Sequence, residues 1–173
     1  MALVAVFPGT FDPVTNGHLD LLRRGAALFD RVVVGVSEEG KTTLFDPAER
    51  AALVEAETSG IGNVEVRRFS GLVVAFARSV GARVLLRGVR TLQDWEFELR
   101  MAHANRSLAP EVETLFLAPA AEWSFLSSSL TREVASLGGD VSSFVPPAVA
   151  RALRGRFAKG AVGTMARPSE SRP

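Results

Sequence analysis

Five short runs rich in apolar and β-branched residues recur along this chain, and each is followed by residues at helical spacing. The strand-like runs are residues 3–7, 31–36, 64–68, 83–87 and 113–118. The helix-like runs are 17–29, 47–58, 72–80, 91–108, 128–137 and 147–157. In the first helix Leu19, Leu22, Ala26 and Phe29 fall on one face, which predicts a buried stripe. Before the second, Asp46-Pro47-Ala48-Glu49 reads as an N-cap, a first-turn proline and a capping box. Strands separated by helices lie parallel, covered on both faces. With right-handed crossovers the expectation is an α/β, doubly wound, Rossmann-like sheet of five parallel strands. Ligands in such a fold bind in the crevice beyond the carboxyl ends of the strands, so polar residues there become the functional candidates.

A chain of 173 residues can bury one good core, and a single domain over residues 1–158 is expected. Residues 159–173 are small, polar and unpatterned, and read as a mobile C-terminal tail. The formal net charge of +1 lacks the basic excess of a nucleic-acid or membrane-surface binder. With no cysteine, disulfides, thiolate metal centres and cysteine nucleophiles are excluded. Two histidines, His18 and His103, do not make a multi-histidine metal site. The first apolar run is too short for a signal sequence and no stretch has the length of a membrane span, which predicts a soluble cytoplasmic protein.

Chemistry-bearing residues cluster where the strands should end. After the first strand, Phe7-Pro8-Gly9-Thr10-Phe11-Asp12-Pro13-Val14-Thr15-Asn16-Gly17-His18 joins strand to helix and aims a helix N-terminus across one end of the sheet. Gly9 and Gly17 allow close backbone approach, while Thr10 and His18 add polar groups, a combination suited to phosphate. Lys41 follows the second strand and Arg87-Gly88-Val89-Arg90 the fourth. Trp123-Ser124-Phe125-Leu126-Ser127-Ser128-Ser129 follows the fifth and opens a helix. Of 20 basic residues only Lys41 and Lys159 are lysines, so Lys41 stands out. Singly, each has a plainer reading. His18 could be a cap, the serines ordinary N-cap residues, and Arg87 and Arg90 ion-pair partners of Glu96 and Glu98. His103 reads as a plain helix residue. Trp95, Phe97, Leu99 and Met101 read as packing or subunit contacts rather than a cofactor box. Convergence at the strand ends favours a site for a ligand with several phosphates.

Gly35-Val36-Ser37-Glu38-Glu39-Gly40-Lys41-Thr42 also matches the phosphate-loop pattern G-x-x-x-x-G-K-[ST]. That loop must run straight into a helix, yet the capping signals put the next helix start near Pro47. Glu38 and Glu39 would moreover set two carboxylates inside an anion cradle. A nucleoside-triphosphatase reading is therefore rejected.

The same residues carry a resemblance. Gly9-Thr10-Phe11-Asp12-Pro13-Val14-Thr15-Asn16-Gly17-His18 is similar to the T/HxGH signature of the nucleotidyltransferase superfamily. With the arginine turn, the serine-rich helix start and Gly139-Asp140-Val141-Ser142, the chain resembles the bacterial phosphopantetheine adenylyltransferases over residues 3–157. The resemblance implies transfer of the adenylyl group of ATP to 4′-phosphopantetheine, giving dephospho-coenzyme A and pyrophosphate in coenzyme A biosynthesis. It implies a catalytic set of Thr10, His18, Lys41 and Arg90, with Thr10 and His18 at the α-phosphate. Lys41 and Arg87 would hold the acceptor's phosphate, and Val73 and Thr10 would also meet the acceptor. Phe11, Gly88, Val89 and Arg90 would line the ATP site, with Glu98 nearby. Trp123, Ser124, Phe125 and Leu126 would close over the nucleotide, and Ser127, Ser128 and Ser129 would receive its outer phosphates. Mg²⁺ held by the ATP phosphates rather than a protein cage, and a homohexamer, are implied likewise. That family usually carries Asn-Pro where Glu38 and Glu39 stand here, which sets two carboxylates beside the lysine of an anion site. Two rivals remain open: the same chemistry on another acceptor, such as nicotinate mononucleotide or glycerol phosphate, and a nucleotide-binding module without catalysis.

Overall fold

The computed structural model describes residues 2–39 and 42–162. Its strands are β1 (Val4–Gly9), β2 (Arg31–Ser37), β3 (Val64–Phe69), β4 (Val84–Gly88) and β5 (Glu113–Leu117). Its helices are α1 (Asn16–Leu28), α2 (Pro47–Thr58), α3 (Val73–Ser79), α4 (Leu92–Leu108), α5 (Ser128–Ser136) and α6 (Pro147–Val162). All four strand pairings are parallel, in the order β3-β2-β1-β4-β5. The chain builds outward on one side of β1, then returns to β1's other edge and builds the opposite way. That reversal leaves a crevice beyond the carboxyl ends of β1 and β4.

Each face of the sheet has its own core. Ala5, Phe7, Val32, Val34 and Leu86 pack against Leu19 and Leu22 of α1, Val54 of α2 and Val149 and Leu153 of α6. Val4, Val6, Val33 and Leu85 face Val74, Phe76 and Ala77 of α3. Strict alternation of side chains along β1 and β2 produces this division. In β2, Val32, Val33, Val34 and Val36 are all fully buried, as a strand covered on both faces requires.

Two boundaries differ from expectation. β1 runs on through Gly9, because Pro8 and Gly9 keep register with Gly35 and Val36 of β2. α6 extends to Val162, past the expected end at residue 157 and into the segment read as a tail; residues 163–173 lie outside the described residues. A 3₁₀ turn at Ala121–Trp123, which no periodicity announced, precedes α5. The phosphate-loop match is refuted by placement. Gly35 lies inside β2, where a Cβ would stand 2.7 Å from the Phe76 ring and 3.1 Å from that of Phe69. Asp46 caps α2, accepting from the Glu49 amide at 2.8 Å while the Glu49 carboxylate accepts from the Asp46 amide at 2.9 Å.

Candidate active site

A cavity of about 340 Å³ opens at the crevice. β1 brings Gly9 and Thr10 to its wall, α1 brings Gly17 and His18, and β4 brings Arg87 and Gly88. Arg90, Glu98, Trp123, Leu126, Ser127, Ser128 and Ser129, all expected at the site, line it too, as does Phe11. A second cavity, of about 300 Å³, shares Pro8, Gly9, Thr10, Arg87 and Glu98 with the first and continues past Val73, Phe69, Phe97, Met101 and Asn105. Thr10 and Arg87 thus stand where a polar compartment meets a more apolar one.

His18 is held by the cap of its own helix. Thr15 is the N-cap, and its hydroxyl accepts from the His18 amide, while the Thr15 amide donates to His18 Nδ1 at 3.1 Å. A nitrogen that accepts carries no proton, so the neutral ring is protonated at Nε2 and keeps that N–H for a ligand. Burial first, then the charges of Arg90 and Arg87, lower the His18 pKa from 6.5 to about 4. The imidazole is therefore a neutral donor. Phe11 supports it edge-on, with ring centroids 5.2 Å apart. Phe11 itself sits at φ 51°, a left-handed conformation that a bulky residue adopts only when its surroundings fix it. Its ring is 3% exposed and turned into the core, which leaves its backbone to the cavity.

The arginines are not isolated cations. Arg87 grips Glu98 with both Nε (2.7 Å) and Nη2, and donates to the Pro8 carbonyl at 2.7 Å. Arg90 pairs with Asp94 at 3.0 Å, not with Glu96 or Glu98, and its Nη1 donates to the Leu126 carbonyl. Arg132, which sequence reasoning missed, pairs with Asp12 at 3.2 Å and donates to the Asp12 carbonyl and to Ser129 Oγ at 3.5 Å. Three cations and three carboxylates thus line the described wall in pairs. Pairing holds the guanidinium forks rigid, but it leaves much of the attraction for an anion to oriented amides.

Those amides come from α5. Ser127 caps the helix, its hydroxyl accepting from the Leu130 amide at 3.1 Å, which leaves the amides of Ser128 and Ser129 outside the intrahelical pattern. Ser128 is spent on the fold, donating to the Pro13 carbonyl at 2.8 Å. The three serines therefore have different tasks that their sequence run conceals.

The remaining expected residues are placed elsewhere. Val89, Ser124 and Phe125 do not line the cavity. The Val89 amide is taken by the Leu117 carbonyl, Ser124 Oγ donates to Ala121, and Phe125 stacks edge-on with Phe144 at 5.7 Å. Val73 lines the second cavity only, and Lys41 lies outside the described residues. Glu38 and Glu39 line neither cavity: Glu38 pairs with Arg68 at 3.3 Å, and Glu39 accepts from the Gly71 amide at 3.0 Å. Phe97 and Met101 line the second cavity, although periodicity assigned them to packing or subunit contacts. The signal that could have found them is their i, i+4 spacing on a helix facing β4.

Comparison with known proteins agrees with this geometry. The model of the cytidylyltransferase-like family matches residues 6–134. The phosphopantetheine adenylyltransferase of Synechococcus sp. (strain JA-3-3Ab) is 54% identical over 156 residues, covering 90% of this chain and 98% of the relative. That of Thioalkalivibrio sulfidiphilus (strain HL-EbGR7) is 54% identical over 158 residues, covering 91% and 99%. A solved structure from Vibrio parahaemolyticus, described as a nicotinate-nucleotide adenylyltransferase, superposes with a TM-score of 0.70 over 89% of this chain and 99% of its own. At 20% identity that likeness speaks to the fold alone. Near-complete coverage at more than half identity, on a fold whose switch-point cavity gathers the signature residues, establishes that the chain belongs to the phosphopantetheine adenylyltransferases.

Proposed function

We propose that the chain catalyses attack of the 4′-phosphopantetheine phosphate on the α-phosphorus of ATP, forming dephospho-coenzyme A as the bond to the β-phosphate breaks and pyrophosphate leaves. The observation that carries this reading is the wall of the polar cavity. It combines a neutral histidine donor, paired arginines and a helix N-terminus, and each of its described carboxylates is already held by an arginine. The nucleophile is a phosphate oxygen, ionised at neutral pH, so no general base is needed. What must be overcome is repulsion between two anions, and rigid donors aimed at the transferring group do that.

In this reading Thr10 and His18 Nε2–H meet the α-phosphate. Arg90 and Gly88 border the nucleotide beside Trp123 and Leu126, and the outer phosphates face the amides of Ser128 and Ser129 together with Arg132. The acceptor arm occupies the second cavity along Val73, Phe97 and Met101, its phosphate at Arg87 and Lys41. The reading takes Mg²⁺ as arriving on the triphosphate, held by phosphate oxygens and water. When bound, Mg²⁺ would supply countercharge to the triphosphate, while Arg132 and the amides of Ser128 and Ser129 would hold its outer phosphates. The same reading carries a cytoplasmic enzyme; no helix among the described residues is long and apolar enough to cross a membrane. It also carries a homohexamer, for which α4 offers an apolar surface: Leu92 is 82% exposed, Phe97 53% and Trp95 41%.

The deciding experiment is the mass of the product after incubation with ATP, Mg²⁺ and 4′-phosphopantetheine. Dephospho-coenzyme A with stoichiometric pyrophosphate is expected; turnover with nicotinate mononucleotide or glycerol phosphate instead would overturn the acceptor. Lys41→Ala should raise KM for phosphopantetheine about tenfold with little change for ATP, since the lost charge serves ground-state binding of one substrate. A selective ATP defect would assign Lys41 to the other half of the site.

A further inference from the structure

Arg50 has no part in the chemistry above, yet it is 2% exposed and among the largest fully buried side chains. It lines neither cavity. Its guanidinium donates to three backbone carbonyls: Nε to Phe45 at 3.1 Å, and Nη1 to Thr10 at 2.6 Å and Ser37 at 2.9 Å. Thr10 lies in the turn after β1, Ser37 ends β2, and Phe45 leads into α2. Asp12, also 2% exposed, does the converse. Its Oδ2 accepts from the Leu44 amide at 2.8 Å and its Oδ1 from the Phe45 amide at 2.9 Å. One buried cation and one buried anion thus pin both ends of residues 37–45 to the turn that carries Thr10, and Lys41 lies between those ends.

Neither residue is needed to start α2, which Asp46 and Glu49 already cap. An apolar side chain would fill the space of Arg50 without the cost of burying a charge. What an apolar residue could not do is hold three carbonyls from three segments in one register. We propose that Arg50, acting with Asp12, is a positioning residue that holds Ser37 and the Leu44–Phe45 entry to α2 in register with the Thr10 turn, and so aligns the acceptor cavity, which Ser37 and Thr10 both line, with the α-phosphate side of the site. The kinetic consequence rests on the proposed function; the register itself does not.

The test compares Arg50→Lys and Asp12→Asn with the full-length wild type. Lysine keeps the charge but not the fork, and asparagine can accept from only one of the two amides. Amide hydrogen exchange should accelerate at least about tenfold in peptides covering residues 37–46 while the β1–β2 pairing stays protected. In Arg50→Lys, KM for phosphopantetheine should rise about tenfold and KM for ATP less than about twofold; Asp12→Asn also releases Arg132, so that variant is read by exchange alone. Unchanged exchange in that segment, or KM values that rise together, would overturn the proposal. If Arg50→Lys fails to fold, Asp12→Asn still carries the exchange readout, since its two amide contacts end at Leu44 and Phe45. If the wild type takes a different acceptor, the substrate reading falls, while the exchange data still decide whether Arg50 sets the register.

Discussion

His18→Ala is expected to lower kcat by about 10²–10³-fold and to leave KM for both substrates nearly unchanged. The size is that of removing one donor preorganised for a developing anion, about 3–4 kcal/mol of transition-state stabilisation. The selectivity for kcat follows from geometry. With Nδ1 committed to Thr15, the ring offers Nε2–H at a fixed angle, and such a bond strengthens as charge builds on the transferring phosphoryl oxygens. Folding should suffer little. The Thr15 hydroxyl still caps the residue-18 amide in the variant; the reciprocal bond to the ring is lost, worth about 1 kcal/mol. A melting temperature lower by about 2–4 °C would match that loss for a chain of this size. Steady-state kinetics beside a thermal melt test both parts, and an unchanged kcat would reduce His18 to a capping residue.

The charge state of His18 gives a second reading of the same site. In the free protein NMR should find its titration midpoint at about 4, because burial opposes the charged form and Arg90 and Arg87 repel it. The folded value is depressed below 6.5, so the unfolded chain binds the proton more readily. This group therefore costs the fold nothing above pH 6.5 and destabilises it progressively as the pH falls toward 4. In the proposed reading, ATP brings its phosphates beside His18 and Arg90 and should raise the midpoint. A midpoint that ignored ATP would place the triphosphate elsewhere.

The fold was legible because its signals are local. Alternating runs named every strand, and Asp46 and Glu49 announced α2. Within the site, residues at strand ends were legible for the same reason, since topology alone carries Thr10, His18, Arg87 and Ser127 to one crevice. What stayed hidden depends on partners distant in sequence. Arg132 meets Asp12 across 120 residues, and Arg50 meets the Thr10 carbonyl across 40. The pairing of Arg90 with Asp94 rather than Glu96 or Glu98 is set by α4's start at Leu92, which puts residue 94 in the first turn. Glu38 and Glu39 looked misplaced beside a lysine until β3 and the Gly71 turn supplied Arg68 and an amide for them. The contact of the Phe125 ring with Phe144, 5.7 Å between centroids, is likewise one that its motif does not announce.

Arg90→Ala should lower kcat/KM for ATP by about 10²–10³-fold, through three losses that can be separated. The first is the cation itself. The second is an anchor: Arg90 Nη1 holds the Leu126 carbonyl, one residue before the cap of α5, so its removal frees the helix start on the cavity wall, where the proposed reading puts the outer phosphates. The third is electrostatic, because Asp94 loses its partner and becomes an unpaired carboxylate on the wall of an anion site. Arg90→Lys restores charge without the fork that reaches both Asp94 and Leu126, so it should recover only a small part of the rate. Adding Asp94→Asn to Arg90→Ala removes the stranded carboxylate and should recover about fivefold, a non-additivity measurable in a double-mutant cycle. The two central side chains are also coupled. Arg90 is the larger of the two charges that depress the His18 pKa, so in Arg90→Ala the His18 midpoint should move up from about 4. Full additivity with Asp94→Asn would remove the third loss, and a kcat/KM for ATP unchanged in Arg90→Ala together with an unmoved His18 titration would mean that Arg90 acts on neither the phosphates nor the histidine. Its function would then be confined to anchoring Leu126.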